Sequence, residues 1–355
     1  MKKIRDKKAY ILLSRRRFVK KQKRKKHRKL LIKQSYRDRI IEKRKKAFRK
    51  KVDKNKYENI STPSNFSIIN NPGPTLSFFK ILRDNMIKYN PVYVDMSSIN
   101  QMTTDALVYF IGVLQQLKTK LKVLRLKGSY PKDKKIKSLM ETSGFLNYFE
   151  TTEDVQFEPN KNTFEIKSGN SVDRLTVKNI CQFVMKKFEI QKSKTSMLYA
   201  IISEMMNNTK EHAYNSNEND YDNWIIFLRY YPNKKCIDFI FMDTGLGIPK
   251  TVHKKKDEKI LKAISKIKSI GYSESKIVKS ALEGEFRTKT RHKYRGKGLP
   301  KIYKCVKIGY LLKFNLFSNK ACIVENREED LSQEMNGTLY FWQLTKESVN
   351  AKDIN

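Results

Sequence analysis

The uneven distribution of charge along the chain limits which part of it can form a hydrophobic core. Residues 1–60 contain 28 Lys and Arg but only 5 Asp and Glu, a net charge of +23, and the other 295 residues share the remaining +17 of the total of +40. The stretch KKQKRKKHRKL, residues 20–30, has almost no apolar side chains to bury. The sequence therefore predicts a basic, partly helical arm over residues 1–58, with globular structure only after it.

The charge density of this arm indicates a polyanion as partner. Lys and Arg side chains neutralise phosphates and gain affinity by releasing counterions, so nucleic acid bound through residues 1–58 is the predicted partner. An anionic membrane surface and a purely solubilising tail are the two alternatives that the charge leaves open. The sequence does not distinguish DNA from RNA.

Apolar runs and cysteines bear on the cellular location. The longest apolar run, ALVYFIGVL at residues 106–114, is far shorter than the roughly 20 residues that cross a bilayer. The charged N-terminus does not resemble a signal peptide, so a cytoplasmic protein without a transmembrane segment is expected. The four cysteines form no CxxC pair and the four histidines no HExxH motif, which predicts reduced, buried thiols rather than a zinc site or a disulfide framework.

Prolines and polar residues separate the arm from the next segment. The stretch NISTPSNFSIINNPGPT, residues 59–75, is interpreted as a linker. The elements predicted after it are helices over residues 76–90, 104–117 and 133–142 and strands over Val92–Asp95 and residues 122–126. Alternation of strands and helices predicts a small α/β domain with a parallel sheet over residues 76–155.

Five positions in this α/β stretch follow a known order: a strand that ends in Asp, a helix that starts at a hydroxyl residue, then Gly, Pro and Gly. They are Asp95, Thr104, Gly128, Pro131 and Gly144. The stretch resembles the STAS domain of anti-sigma-factor antagonists, which implies a protein partner for it. In that family a loop serine is phosphorylated by a partner kinase. Here the loop reads MTTD, so Thr103 and Thr104 are the phosphoacceptor candidates, although the same residues also suit the N-cap of the helix.

A helix further along the chain has a polar face with regular spacing. In SEMMNNTKEHAYN, residues 203–215, Glu204, Asn208 and Glu211 fall on one side of the helix. Beside this polar face lies an apolar stripe that consists of Leu198, Ile201, Ile202 and Met205. Such a polar face is either solvated or turned towards a ligand.

Two glycine motifs follow this helix. The strand CIDFIFM runs directly into DTGLGIP, in which Gly245 and Gly247 allow the backbone to approach a ligand closely. The motif RGKGLPKIYK opens a helix, so Gly296 and Gly298 can present N–H groups to a phosphate. A Gly-Thr strand, NGTLYFWQL, closes the region.

Taken in order, these four segments resemble the ATP-site motifs of the GHKL superfamily, which includes gyrase, histidine kinases and mismatch-repair ATPases. The layout of EMMNNTKEHAY is similar to that of the anti-sigma-factor serine kinases, whose natural partner is a STAS domain. The resemblance implies a C-terminal α/β sandwich of the Bergerat type over residues 160–347, with an ATP lid at about 249–295 and a tail at 348–355.

The resemblance assigns a role to each matched residue, with ATP and Mg²⁺ as cofactors. Asn208 would hold Mg²⁺, and Glu204 would act as general base. Asp243 would accept a hydrogen bond from the adenine amino group, with support from Thr338. The remaining residues expected to bind the nucleotide are Gly245, Gly247, Gly296, Lys297, Gly298 and Leu299.

Three functions are left open by the sequence. The first is a slow Mg²⁺-dependent ATPase that acts as a conformational switch and binds nucleic acid through its arm. The second is a protein serine/threonine kinase of the anti-sigma type that acts on a STAS domain. The third is a nucleic-acid-binding scaffold with a non-hydrolysing ATP site. A sensor histidine kinase is not expected, because residues 60–200 contain no histidine. A homodimer is compatible with all three functions.

Overall fold

The computed structural model describes residues 57–148, 160–213, 223–254, 257–269, 271–286, 298–325 and 327–350, without the side chains of residues 210–213 and 259. Several predicted features lie wholly or partly outside these ranges. They are the basic arm up to residue 56, the side chain of Glu211, residues 287–295 of the expected ATP lid, Gly296 with Lys297, and the end of the tail at residues 351–355. The described residues form a mixed α/β fold with both parallel and antiparallel sheets, in agreement with the predicted class.

A parallel sheet organises the N-terminal part of the described chain. Its three strands lie in the order β1 (Glu58–Ser61), β3 (Val92–Asp95) and β5 (Leu126–Gly128). A separate parallel pair is formed by β2 (Asn65–Phe66) and β4 (Gln101–Met102). The helices of this part are α1 (Pro72–Ile87), α2 (Thr104–Leu121) and α3 (Lys134–Thr142), followed by a 3-10 turn at Phe145–Tyr148. Parallel strands alternating with helices are present, as the sequence predicts.

The stretch interpreted as a linker contains regular structure. Residues 59–75 include most of β1, all of β2 and the first turn of α1. Pro72 is the first residue of α1 and Pro74 lies in its first turn, where the N–H that proline lacks has no partner within the helix. Thr75 also bonds back to Ser67, with its hydroxyl donating to the Ser67 carbonyl at 2.9 Å. Prolines here mark the start of a helix rather than a connection between domains.

One further strand begins later than predicted. Helix α2 extends to Leu121 and ends where Lys122 adopts a left-handed conformation with φ 65°. The apolar run KVLRL at residues 122–126 is therefore mostly the connection after the helix, and β5 starts only at Leu126.

An antiparallel sheet of five strands organises the C-terminal part. Its order is β6 (Thr163–Gly169), β7 (Trp224–Tyr231), β8 (Cys236–Asp243), β10 (Arg327–Thr345) and β9 (Leu312–Val324). The helices of this part are α4 (Arg174–Phe188), α5 (Ser196–Ala213), α6 (Ile248–His253), α7 (Glu258–Ser269), α8 (Glu274–Glu283), α9 (Gly298–Lys307) and α10 (Lys346–Asn350). The prediction of strands at residues 224–231 and 236–242 is confirmed.

Both faces of the five-stranded sheet are buried. Along β7, Trp224 and Ile226 belong to the core that includes helices α4 to α9. Their neighbours Ile225 and Phe227 belong to a second core, which also contains the apolar residues of α1, α2 and the parallel sheet. This double burial explains why WIIFLRYY and CIDFIFM are apolar at almost every position instead of alternating. The N-terminal α/β layer and the antiparallel sheet share one hydrophobic core.

The cysteines and the apolar face of α5 lie where the sequence predicts. All four cysteines are free and buried. The stripe of Leu198, Ile201, Ile202 and Met205 is no more than 1% exposed. Within the described residues, no helix is both long enough and apolar enough to cross a membrane.

A buried carboxylate fixes the N-terminus of α2. Asp105 is 1% exposed, and its Oδ2 accepts hydrogen bonds from the N–H groups of Ile68 at 2.6 Å and Ile69 at 3.2 Å. Burial raises the pKa of Asp105, while these two hydrogen bonds act in the opposite direction. The carboxylate therefore ties the loop after β2 to the first turn of α2.

We expect Asp105→Ala to lower the free energy of unfolding by about 2 to 4 kcal/mol, because two buried N–H groups would lose their acceptor. Urea denaturation followed by circular dichroism measures this change. The control is Asp84→Ala on the exposed surface of α1, for which we expect a change within about 0.5 kcal/mol. Equal stability of the Asp105 and Asp84 variants would contradict the proposed role of the carboxylate.

Candidate functional site

The polar face of α5 meets the start of α9. Glu204 and Asn208 are partly buried, beside the apolar stripe. Gly298, the first residue of α9, lies directly against Glu204: a Cβ built on Gly298 would be 2.5 Å from Oε1 and 3.0 Å from Cδ of Glu204. Any larger residue at 298 would push the carboxylate away. The structure thus brings two of the predicted motifs into contact.

Asn208 carries a buried polar atom without a partner among the described residues, namely its Nδ2. Buried polar atoms of folded proteins normally have a hydrogen-bond partner, so this one requires an explanation. A half-turn of the amide exchanges its oxygen and nitrogen, so Asn208 can present either an acceptor or a donor to a bound group. The amide oxygen is a hard ligand suited to Mg²⁺.

Asp243 lies at the end of β8, beside the Gly-Thr segment of β10. It is partly buried, its Oδ1 accepts a hydrogen bond from Gly245 N–H at 3.0 Å, and it pairs with Thr338 across the sheet. Gly337 has φ +83°, and a Cβ on it would collide with the carbonyl oxygen of Asp243. Only glycine allows β10 to pass Asp243 this closely. The structure therefore joins a second pair of predicted motifs.

A polar network on β9 supports this end of the site, and the sequence analysis missed it. Ser318 Oγ accepts a hydrogen bond from Ile248 N–H at 2.8 Å and lies 3.1 Å from Thr338 Oγ1. Asn319, only 1% exposed, donates from Nδ2 to the Leu246 carbonyl at 3.0 Å. The sequence signal was available, since the polar run Ser318–Lys320 interrupts the mostly apolar FNLFSNKACIV.

The glycines of DTGLGIP have different local conformations. Gly247 has φ +85°, and its missing side chain leaves room for Asn319, which a Cβ would overlap. Gly245 supplies the N–H that holds Asp243. Leu299, the second residue of α9, packs against the hydrophobic core. Gly296 and Lys297 lie outside the described residues.

The hydroxyl of Thr103 and the whole of Thr104, the two phosphoacceptor candidates at the start of α2, are buried. Thr103 occupies the N-cap position, as the capping interpretation predicts, but its side chain makes no capping hydrogen bond. Its Oγ1 is buried, and Thr104 is 6% exposed. Both residues would have to be uncovered before another protein could phosphorylate them.

The described part of the segment expected to form the ATP lid is packed into the core. It consists of α6, α7 and α8, and α7 ends at Ser269 while α8 begins at Glu274. Its residues Ile260, Ile264, Ile277, Val278 and Leu282 are all buried. These helices are thus an integral part of the C-terminal core.

Asp330 on β10 anchors the N-terminus of α8. Its carboxylate accepts hydrogen bonds from Ser273 Oγ at 3.0 Å, Glu274 N at 3.1 Å and Ser275 N and Oγ at 2.9 and 2.7 Å. Burial raises the pKa of Asp330, but these four bonds outweigh it, and the pKa lies below the ordinary value of 3.8.

Because the folded state lowers the pKa of Asp330, its carboxylate stabilises the protein above pH 3.8, and this contribution disappears as the pH falls through the folded-state pKa. We expect Asp330→Asn to be less stable than wild type at pH 7, with the difference shrinking as the pH falls below 4. Urea denaturation at several pH values measures it. The control is Asp84→Asn on the exposed surface of α1. A stability difference that stays constant from pH 7 to pH 3 would contradict this role.

No protein-family model matches the sequence, and no curated protein matches it. The interpretation of the site therefore depends on its residues and their geometry.

Proposed function

We propose that the chain is an ATP-binding protein of the GHKL type and a slow Mg²⁺-dependent ATPase that acts as a conformational switch. The observation that supports this proposal is the convergence of segments that are distant in sequence. Glu204 touches Gly298, and Asp243 lies beside Gly337 and Thr338. Gly298 makes room for the carboxylate of Glu204, and Gly337 makes room for the backbone carbonyl of Asp243.

The Asp243 end of this site suits the base of the nucleotide. An ionised carboxylate only accepts hydrogen bonds, so it favours the amino group of adenine over the carbonyl group that guanine presents at the same position. The hydrogen bond from Gly245 orients the carboxylate before a ligand arrives. Thr338, 2% exposed, holds the neighbouring strand through its contact with Ser318.

The Glu204 end suits the phosphates and the chemical step. The N-terminus of a helix favours anions, and α9, a helix of ten residues, begins at Gly298 beside Glu204. Glu204 would take the proton of the attacking water, and Asn208 would hold the metal. A bound Mg²⁺ would neutralise charge on the phosphates. The amide of Asn208, whose Nδ2 has no partner among the described residues and which can be turned to present its oxygen, and the room that Gly298 leaves for Glu204 support this assignment.

A kinase and a non-hydrolysing scaffold are the alternative functions of the same site. The burial of the Thr103 hydroxyl and of Thr104 disfavours phosphorylation of these two threonines. A kinase activity would therefore act on a STAS domain of another protein. The scaffold differs from the ATPase only in whether Glu204 has a chemical role.

We expect wild type to bind a labelled ATP analogue in the presence of Mg²⁺ and Asp243→Asn to bind at least about tenfold more weakly. Gly245 N–H would hold the single amide oxygen of the asparagine, so its NH₂ group would face the adenine amino group. Glu204→Gln should retain binding but hydrolyse ATP about 10²- to 10⁴-fold more slowly, since it cannot accept a proton. Equilibrium binding and phosphate release measure the two effects.

The control for the Glu204 variant is Glu283→Gln, a substitution of the same type on the exposed surface of α8. It should match wild type in both measurements. Absence of ATP binding by wild type would reject the proposed function. Unchanged turnover in Glu204→Gln would instead favour the scaffold.

The basic arm is proposed to bind nucleic acid. Strand β1 begins at Glu58, so a deletion that ends at residue 56 removes all 28 Lys and Arg of the first 60 residues without cutting the parallel sheet. We expect this deletion to weaken binding of DNA or RNA and to flatten the dependence of log K on log salt, because fewer counterions are released. Fluorescence anisotropy at several salt concentrations measures it. An unchanged slope would show that the arm does not contact the phosphates.

A further inference from the structure

Helix α2 of the N-terminal layer lies directly behind the Asp243 end of the proposed site. Gln116 donates from Nε2 to the carbonyl oxygen of Thr244 at 2.7 Å, and Thr244 is the residue after Asp243. The hydroxyl of Tyr109 accepts a hydrogen bond from Asn336 N–H at 3.1 Å, and Asn336 immediately precedes Gly337. One helix thus contacts the end of β8 and the middle of β10, next to Asp243 and Gly337.

The contacts of α2 lie on one face of the helix. Tyr109, Gly112 and Gln116 are spaced by three and four residues, which places them in a row. Gly112 allows close packing, since a Cβ on it would be 2.7 Å from Cε of Met242. Tyr109 is itself fixed, because Arg83 of α1 donates to its hydroxyl at 2.9 Å.

The hydrogen bond from Gln116 fixes a buried backbone group. Thr244 is 4% exposed, so its carbonyl oxygen would lose a partner that water cannot easily replace. The peptide group that Gln116 holds joins Thr244 to Gly245, and the N–H of Gly245 in the same group donates to Asp243 Oδ1 at 3.0 Å. Its orientation therefore influences the direction of the Asp243 carboxylate.

We infer that α2 is the positioning element of the nucleotide site and that Gln116 is a positioning residue which sets selectivity for adenine. This inference rests on the proposed function. Gln116 acts through the turn that follows Asp243 and makes no contact of its own with the base. The N-terminal layer thereby takes part in nucleotide recognition, and by thermodynamic reciprocity nucleotide binding stabilises its contact with the turn.

The test compares the affinities of the full chain for ATP and GTP in the presence of Mg²⁺. In Gln116→Leu we expect ATP to bind about tenfold more weakly while GTP binding is unchanged, because only the base-selective hydrogen bond depends on the position of Asp243. Tyr109→Phe removes a single hydroxyl and should shift the ATP to GTP ratio in the same direction. The matched control is Gln115→Leu, whose glutamine bonds to Ser168 and Asn223 instead of the turn.

The outcomes separate this inference from the proposed function. Wild type that binds neither nucleotide would reject the proposed function and the inference with it. Wild type that binds ATP, together with Gln116→Leu and Tyr109→Phe of unchanged selectivity, would overturn only the inference. An equal loss of selectivity in Gln115→Leu would also overturn it, since a general loosening of α2 would then explain the effect. If Gln116→Leu does not fold, Tyr109→Phe alone decides between these outcomes.

Discussion

The burial of the antiparallel sheet on both faces is the constraint on which the rest of the structure depends. Side chains alternate along each strand, so Trp224 contributes to one core and Ile225 to the other. An N-terminal layer that covers the second face is therefore part of the same hydrophobic unit. Helix α5 contributes to the core on one face of the sheet and α2 to the core on the other. The end of β8 at Asp243 therefore lies next to the N-terminal layer, since Gln116 of α2 bonds to Thr244.

Close contacts at three glycines determine how near the segments around the site can approach one another. Gly298 leaves room for the carboxylate of Glu204, Gly337 for the backbone at Asp243, and Gly112 for Met242 of β8. At each position a Cβ would displace the neighbouring group, so the separation of the segments is set by the absence of a side chain. Polar side chains then fix the path of the backbone after Asp243. Ser318 and Asn319 of β9 bond to Ile248 and Leu246, and Gln116 of α2 bonds to Thr244.

The sequence predicts local structure well where one physical signal dominates. The strand Val92–Asp95 and the apolar stripe of α5 follow from hydrophobic patterns. Proline is ambiguous, because it suits both a linker and the first turn of a helix, and so the start of α1 at Pro72 was not predicted. Continuous apolar strands indicate burial on two faces but do not identify the covering layer. The contact of Gln116 with Thr244 depends on that layer, and no local pattern could have predicted it. The contact of Glu204 with Gly298 agrees with motifs read from the sequence, while the binding of ATP stays a prediction.

The shared core also limits how such a chain can evolve. A domain that is joined to its neighbour by a linker can be exchanged for another without loss of either part. Here a replacement N-terminal layer would need equivalents of three α2 residues. They are Gly112, which packs on Met242, Tyr109, whose hydroxyl accepts a hydrogen bond from Asn336, and Gln116, whose amide donates to Thr244. The two halves are therefore bound to be inherited together, and substitutions in one half constrain those that the other can accept.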